Sequence, residues 1–219
     1  MPTQSLNLAA WFSGKEFSEK DYVSNKAALW SEVLEPLRGT TISVLEIGSL
    51  EGRSALFFLN YLPNSRVTCI DLFRAEKEAR FDRNIAEFAS RIRKLKGYSF
   101  PALTSLRQEG CWFDLIYIDA CHQREAVLLD SVLSWPMLRS GGILIWDDYG
   151  KYKSRSPRWN RPSGAVDGFL LAHRGEFEQL ACGKQMIVRK TVAAPRLAED
   201  VFACGARRSS LWRRMLRKG

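Results

Sequence analysis

Short apolar runs alternate with longer amphipathic stretches along most of the chain. Runs rich in β-branched and apolar residues, as buried strands are, occur at residues 41–47, 66–73, 113–119 and 143–149, and residues 92–95 are a candidate for a further short strand. Segments with an apolar residue every three or four positions lie between them, at residues 76–90, after Pro101 and at 124–138. Strands that alternate with helices in this way predict an α/β fold with a mostly parallel sheet.

The two ends of the chain extend this pattern. An amphipathic period at residues 17–37 precedes the first strand and predicts an N-terminal helical cap, to which we assign residues 1–40. A helix is expected near residues 164–173, and two closely spaced apolar runs at 177–182 and 185–190 follow it like the arms of a hairpin. A hairpin brings in an antiparallel strand, so the sheet is expected to be mixed.

Composition narrows this picture. With 219 residues, 46% of them hydrophobic, the chain suits one α/β domain, expected at residues 41–190, and is short for two. No stretch approaches the ~18 uninterrupted apolar residues of a membrane span, and the N-terminus lacks a signal-peptide pattern, so a cytoplasmic protein is expected. The net charge of +9 is concentrated at residues 151–161 and in a basic C-terminal tail, residues 191–219. Nucleic acid is a possible partner, but a solvated basic face is favoured.

A glycine-spaced turn follows the first strand. Gly48 and Gly52 enclose three residues, and a helix is expected from Arg53. Glycine suits both positions because the chain turns sharply and its N–H groups can approach a ligand with no Cβ in between. A dinucleotide-binding turn would read G-x-G-x-x-G, so the missing middle glycine disfavours a nicotinamide or flavin cofactor.

Asp71 ends the second strand, about 20 residues beyond the glycine turn. A carboxylate at this point can accept hydrogen bonds from both hydroxyls of a ribose. The alternative is an aspartate that only starts a turn. In combination with the glycine turn, the strand end predicts a site for a nucleoside-type ligand.

Further carboxylates follow the fourth and fifth strands. Asp119 ends the run at 113–119, and Asp147 and Asp148 lie near the end of the run at 143–149. Because parallel strands end at the same edge of a sheet, the three acids are expected to converge there. Hard oxygen ligands favour a divalent cation such as Mg²⁺. The acids could also be ordinary, with Asp147 and Asp148 capping a loop.

His122 lies three residues after Asp119, at the start of the next expected helix. An unperturbed imidazole has a pKa near ~6.5 and can accept a proton at neutral pH, so His122 is the candidate general base. The alternative is a structural histidine that opens the helix. His173, which has no acidic cluster near it in the sequence, is expected to be structural.

The pattern E-x-G-x-x-x-G-x-S at residues 46–54 resembles motif I of the class I S-adenosylmethionine-dependent methyltransferases. The D-x-x-H pair of Asp119 and His122, followed by Asp147 and Asp148, resembles the metal-dependent O-methyltransferases of the macrocin and mycinamicin type. The catechol and caffeoyl-CoA enzymes are more distantly similar. The resemblance implies a Rossmann-like class I methyltransferase fold. This is a mostly parallel seven-stranded sheet with helices on both faces and a C-terminal antiparallel strand.

The resemblance also implies the roles of individual residues, with S-adenosyl-L-methionine as methyl donor. The donor-binding positions would be Glu46, Gly48, Ser49, Gly52, Ser54, Asp71, Leu72 and Asp119. Asp119, Asp147 and Asp148 would bind the metal, and the catalytic residues would be Asp119 and His122, with His122 as general base. The catechol-type enzymes have a lysine near the metal. Because Cys121, His122 and Gln123 follow Asp119 here, that base is absent.

The function predicted from these features is metal-assisted O-methylation of a small-molecule hydroxyl, on a sugar or another secondary metabolite. Two alternatives stay open. One is an RNA or protein methyltransferase that uses the basic segments, and the other is a non-catalytic donor-binding protein of the same fold. A homo-oligomer is also open.

Overall fold

The computed structural model describes residues 6–150 and 161–192. Within these residues, seven strands form one sheet with the order β3-β2-β1-β4-β5-β7-β6. The strands are β1 (Ile42–Ile47), β2 (Ser65–Asp71), β3 (Ile92–Lys96), β4 (Phe113–Ile118), β5 (Leu138–Trp146), β6 (Phe177–Cys182) and β7 (Met186–Lys190). Strands β1 to β5 pair in parallel, and β7 is antiparallel to both β5 and β6. The predicted mixed, Rossmann-like sheet is confirmed, with β7 inserted between β5 and β6.

Helices cover both faces of this sheet. They are α1 (Leu8–Phe12), α2 (Ala27–Leu34), α3 (Arg53–Tyr61), α4 (Ala75–Asn84), α5 (Ser99–Gln108), α6 (Arg124–Ser134) and α7 (Pro162–Ala172), with short 3-10 turns at Glu35–Leu37, Ala86–Arg91 and Trp135–Met137. Side chains alternate along a strand, so Val44 packs with α2 and α3 whereas Leu45 packs with α5, α6 and α7. Both are fully buried, as expected for a strand between two helical layers.

The N-terminal helix is shorter than the sequence pattern predicts. The apolar period of residues 17–37 predicts one helix, but α2 begins only at Ala27. Ahead of it, the Asp21 carboxylate accepts hydrogen bonds from the amides of Val23 and Ser24, both at 2.9 Å, and from the Ser24 hydroxyl at 2.6 Å. Such side-chain bonds to nearby amides compete with helix formation, so residues 17–26 run as an irregular segment.

The glycine pair Gly141–Gly142 is also placed differently from the prediction. The sequence pattern predicts a helix over residues 124–138 with this glycine pair as its stop, but α6 ends at Ser134 and both glycines lie inside β5. Pro136 in the following 3-10 turn explains the early stop, because proline cannot continue the helical hydrogen bonds. Likewise, the helix expected over residues 76–90 ends at Asn84.

The carboxyl ends of four parallel strands are joined by backbone hydrogen bonds just beyond the sheet. The amide of Gly48 donates to Ile70 at 2.8 Å, and the amide of Asp119 donates to Ile47 at 2.8 Å. The amide of Asp147 donates to Ile118 at 3.0 Å. These bonds hold the residues after β1, β4 and β5 side by side, at the edge where ligands of such sheets bind. In the part of the chain that the structure describes, no helix has the length and apolarity needed to cross a membrane.

Candidate active site

A cavity of about 1510 Å³ opens at the carboxyl edge of the sheet. Its floor is made by the residues that follow β1, β2, β3, β4 and β5. Its walls come from the irregular segment before α2, from residues of α2, α3 and α6, and from the end of β6 with the loop after it. Pockets for a single drug-sized ligand usually measure about 300 to 1,000 Å³, so this cavity has room for two ligands side by side.

The turn after β1 lies directly against the end of β4. Gly48 has φ +95°, and a Cβ at this position would lie 2.1 Å from the main-chain oxygen of Asp119. Leu50 also has a positive φ, of 49°, and its amide donates to the Asp71 carboxylate at 2.9 Å. The turn is therefore held in a conformation that few residues other than glycine adopt, as is common where backbone lines a ligand site.

Glu46 lies on β1 beneath this turn and is fully buried. Its Oε2 accepts a hydrogen bond from the Cys69 thiol at 3.5 Å, while its Oε1 and the Ser49 hydroxyl have no hydrogen-bond partner. Burial raises the pKa of Glu46 to about 7, against the opposing effect of the nearby hydroxyls of Ser49 and Ser54. Two buried polar atoms without partners beside a cavity suggest a ligand that brings a hydrogen-bond donor.

Asp71 has structural contacts in addition to its predicted role. Its Oδ1 accepts from the amide of Phe73 and its Oδ2 from the amide of Leu50, both at 2.9 Å. A carboxylate can accept about four hydrogen bonds, so capacity for a ribose remains. Asp71, Leu72 and Ser54 all line the cavity, as do Gly48 and Ser49. Gly52 starts α3 with φ +86°.

Asp119, His122 and Asp148 form a cluster on the other side of the glycine turn. Each offers one ligand atom, and these three atoms lie within 4.8 Å of one another. His122 Nε2 is 3.0 Å from Asp148 Oδ2 and 3.8 Å from Asp119 Oδ1. Hydrogen bonds to Asp119 and Asp148 raise the pKa of His122 to about 9, so the imidazole is protonated at neutral pH in this arrangement. Asp148 adopts a positive φ of 55°.

Asp147 also lines the cavity but does not belong to this cluster. Its Oδ1 pairs with Lys26 Nζ at 2.8 Å and accepts a hydrogen bond from Gln185 Nε2 at 2.6 Å. Burial, with the nearby charge of Asp119, raises the pKa of Asp147, and Lys26 opposes this shift. The structure thus brings two of the three predicted metal-binding acids together with His122, and it ties the third to a lysine from the N-terminal segment.

The sequence pattern did not identify Lys26 and Gln185 as site residues. Lys26 Nζ also lies 3.2 Å from the hydroxyl of Tyr117, which donates to Asp119 Oδ2 at 2.6 Å. The available signal was the position of Lys26 four residues before Trp30, on the apolar face of the N-terminal amphipathic stretch. A cation on that face needs a buried partner, and the strand-end acids provide it.

Comparisons with known proteins agree with this geometry. A family model described as a methyltransferase domain matches residues 45–149. An uncharacterized protein of Acanthamoeba polyphaga mimivirus is 29% identical over 134 residues, which cover 55% of this chain and 59% of that protein. The chain therefore spans well under two thirds of the length of this relative.

Solved methyltransferase structures share the fold. The MycE methyltransferase of the mycinamycin biosynthetic pathway, in complex with Mg and SAH, has a TM-score of 0.66 at 16% identity. That match covers 86% of this chain and 55% of MycE. An O-methyltransferase from Bacillus cereus in complex with SAH has a TM-score of 0.62 at 19% identity, covering 83% of this chain and 86% of that one. The chain therefore has the fold of these solved methyltransferases, and its residues 45–149 match the methyltransferase-domain model.

Proposed function

We propose that the protein transfers the methyl group of S-adenosylmethionine to a hydroxyl oxygen of a small molecule, with a divalent cation, Mg²⁺, at the acidic cluster. The observation that carries the proposal is the cluster of Asp119, His122 and Asp148, whose ligand atoms lie within 4.8 Å of one another in the cavity that also contains the glycine turn. The methyl donor and the hydroxyl acceptor would then bind next to each other in one cavity.

The residues of the donor half fit S-adenosylmethionine. The buried Oε1 of Glu46 and the hydroxyl of Ser49 have no partner in the described structure, and the donor's ammonium group would supply the missing hydrogen bonds. Gly48 leaves no space for a Cβ, so the backbone can approach the methionine part closely. Gly52, Ser54, Asp71 and Leu72 are assigned to the remainder of the donor, with Asp71 at the ribose hydroxyls.

The acidic cluster fits a hard cation. Asp119 and Asp148 offer carboxylate oxygens, which Mg²⁺ prefers, and we assign these two residues as its main protein ligands. Asp147 is held by Lys26 and Gln185, and it would add negative charge from behind the cluster. A bound divalent cation would lower the pKa of the acceptor hydroxyl and orient its oxygen toward the donor's methyl group.

His122 is assigned as the general base that takes the proton of the acceptor hydroxyl at Nε2. While both carboxylates pair with it, His122 holds its own proton, because they raise the pKa of the ring to about 9. The base therefore becomes available only when Asp119 and Asp148 are engaged elsewhere. Activity that needs both His122 and a divalent cation follows from this arrangement.

The acceptor half supports a small molecule. Its walls carry apolar and aromatic side chains of the N-terminal segment, including Phe17, Tyr22 and Leu29, beside Cys182 at the end of β6 and Lys184 of the β6–β7 loop. MycE has also been solved with Mg, SAH and mycinamycin VI, at a TM-score of 0.66 to this chain. We propose an acceptor of the same general kind, a hydroxylated secondary metabolite. The basic segments behind the nucleic-acid alternative, residues 151–161 and 191–219, lie outside the described residues except for residues 161, 191 and 192, so that alternative stays a prediction.

The test is calorimetric titration of S-adenosylmethionine and of Mg²⁺ into metal-stripped protein. Turnover on a panel of hydroxylated metabolites is then measured by mass spectrometry, with and without Mg²⁺. Asp148→Asn should lose Mg²⁺ binding and most turnover but keep donor affinity, and His122→Ala should keep donor affinity and lose turnover. Asp82→Asn, which removes an exposed carboxylate paired with Lys94, is the matched control and should behave like the wild type.

Each result has a defined meaning. Absence of donor binding would refute the proposal as a whole. Donor binding without an Mg²⁺ site would leave metal-free transfer or a non-catalytic role. Full turnover of His122→Ala at every pH would refute the assignment of the base.

A further inference from the structure

Lys26 and Asp147 form an ion pair at the wall of the cavity, beside the acidic cluster proposed to hold the cation. Lys26 Nζ lies 2.8 Å from Asp147 Oδ1, and the two side chains are 15% and 6% exposed. The desolvation of two charges offsets much of their attraction, so such a pair contributes little to stability by itself. Its position beside the proposed cation site indicates a functional role instead.

A second donor fixes the Asp147 carboxylate from the same side. Gln185 Nε2 donates to Asp147 Oδ1 at 2.6 Å, and Gln185 Oε1 accepts from Trp30 Nε1 at 2.9 Å. Lys26 is the N-cap residue of α2, and Trp30 lies one turn further along this helix. Gln185 and Trp30 are both buried. The two contacts therefore hold Asp147 toward α2, and it does not join the acidic cluster.

Lys26 has a second carboxylate within reach. Its Nζ is 3.9 Å from Asp119 Oδ2, which belongs to a proposed ligand of the cation. It also lies 3.2 Å from the hydroxyl of Tyr117, which donates to that same Asp119 oxygen. The attraction between two charges weakens with distance, so the ammonium pairs more strongly with Asp147 than with Asp119. Without the charge of Asp147, the ammonium would turn to Asp119 and compete there with the cation.

We propose that Lys26 and Asp147 are positioning residues, in which Asp147 binds no metal but holds the Lys26 ammonium away from Asp119. This inference rests on the proposed cation site. The charge that Asp147 adds behind the cluster is balanced by the charge of Lys26. The carboxylates of Asp119 and Asp148 then remain to balance the charge of one divalent cation. The three acids that the sequence predicts as metal ligands would thus have two different roles.

Removal of the two charges, singly and together, distinguishes this role from direct binding of the metal. Mg²⁺ is titrated calorimetrically at pH 8 into metal-stripped wild type, Asp147→Asn, Lys26→Met and the double variant. Asp147→Asn should bind Mg²⁺ at least about tenfold more weakly, because the ammonium of Lys26 is then free to pair with Asp119. The double variant should recover the wild-type affinity to within about threefold, since the competing ammonium is gone. Lys26→Met alone should bind Mg²⁺ at least as tightly as the wild type.

Lys15→Met is the matched control. Lys15 also comes from the chain ahead of α2, its side chain is 16% exposed, and it pairs with Glu87. This variant should keep the wild-type affinity for Mg²⁺. Titration of S-adenosylhomocysteine into the same samples shows which variants keep a folded donor half. Lys26→Gln, alone and with Asp147→Asn, serves if the methionine variants do not fold.

The double variant decides the inference. If it binds Mg²⁺ as weakly as Asp147→Asn, Asp147 binds the cation itself, and the inference is overturned while the proposed cation site stands. Wild-type affinity in Asp147→Asn would also overturn the inference, because the ammonium would then not compete for Asp119. A wild type that binds S-adenosylhomocysteine but no Mg²⁺ would overturn the proposed cation site and this inference with it. Failure to bind either ligand would overturn the proposed function as a whole.

Discussion

Glu46 lies on a central strand, where an apolar side chain would pack at lower cost in desolvation. Its carboxyl group is fully buried, and the burial raises its pKa to about 7. The ionised form is thus disfavoured until a cation approaches. The ammonium group of the proposed donor would be that cation, so donor binding is expected to release part of a proton at neutral pH.

The raised pKa of Glu46 gives a prediction about stability. Relative to the ordinary value of 4.5, a pKa of about 7 means that the folded protein holds more protons than the unfolded chain between these values. Glu46 should therefore lower the free energy of unfolding as the pH rises from 4.5 to about 7, by at most about 3.4 kcal/mol. Glu46→Gln should remove this fall and weaken donor binding. Urea denaturation at pH 5 and pH 8 measures the first effect and calorimetry the second.

Only the difference between wild type and variant isolates this residue, because Asp130 and Asp147 also have raised pKa values. Glu125→Gln changes a fully exposed carboxylate and should follow the wild type at both pH values. If the Glu46→Gln variant loses as much stability between pH 5 and pH 8 as the wild type, the carboxyl group of Glu46 is ionised at both pH values in the folded protein. Its buried environment would then need another explanation.

The site residues that the sequence predicted are those that follow apolar strands directly. Asp71, Asp119 and Asp148 could be placed because a strand-like run ends beside each of them and parallel strands share an edge. Lys26 and Asp130 also line the cavity but could not be placed. The apolar face on which Lys26 lies predicts a buried partner for it, but only the packing of the helices on the sheet shows which strand ends Lys26 and Asp130 approach.

At the scale of elements, the connection between β1 and α3 brings the backbone closest to the ligand site. Gly48 is set against the end of β4, and Gly52 begins α3 against the ring of Phe81, which a Cβ would approach to 3.1 Å. Both glycines have a positive φ. Both the positive φ and the lack of space for a Cβ therefore favour glycine in this connection. Substitutions can separate the two effects.

Gly48→Ala should lose more stability than backbone strain alone explains and should bind the donor at least tenfold more weakly, because its Cβ would collide with the main chain of Asp119. Gly175→Ala is the matched control. Gly175 has φ +88°, close to the +95° of Gly48, but nothing lies within 4 Å of its Cβ position. The control should lose about 1 kcal/mol from strain and keep donor affinity. Gly48→Ala and Gly175→Ala could instead lose equal stability in denaturation and equal donor affinity in calorimetry. The turn would then accommodate the added Cβ with no effect on the site.

The elements that the sequence predicted well are those whose apolar period is uninterrupted. Each of the seven strands of the described residues overlaps a segment that the sequence predicts as a strand, and the hairpin of β6 and β7 follows from their spacing. Errors arose where local bonds or one proline decided a boundary. The Asp21 turn delays α2 until Ala27, and Pro136 ends α6 before the glycine pair. Neither effect changes the hydrophobic period, so periodicity alone could not detect it.

At the scale of the whole molecule, the two halves of the cavity meet at Asp119. Its main-chain oxygen is the wall behind Gly48, and its amide donates to Ile47 of β1. Its carboxylate belongs to the cluster with His122 and Asp148. One residue thus contributes its backbone to the donor half and its side chain to the proposed cation site. Each half can be disabled by a substitution that leaves the other half intact.

Two variants should therefore each lose the thermal stabilisation by one ligand and keep the stabilisation by the other. A ligand that binds only the folded protein stabilises it by about 2.7 kcal/mol at a free concentration of 100 Kd, so S-adenosylhomocysteine and Mg²⁺ should each raise the Tm of the wild type. Asp148→Asn should keep the shift with S-adenosylhomocysteine and lose the shift with Mg²⁺. Glu46→Gln, which adds no atom against the main chain of Asp119, should keep the Mg²⁺ shift and lose most of the shift with S-adenosylhomocysteine. Differential scanning calorimetry with each ligand alone and with both measures these shifts.

The shared residue also predicts coupling between the ligands. Because the Asp119 backbone is fixed by the donor turn, a bound donor should restrain its carboxylate and make Mg²⁺ binding tighter, and linkage requires the reciprocal effect of equal size. In the wild type, the two ligands together should therefore stabilise the protein by more than the sum of their separate effects. Strict additivity would mean that the backbone of Asp119 transmits nothing to its side chain. A loss of both shifts in either variant would mean that the cavity forms a single unit rather than two halves.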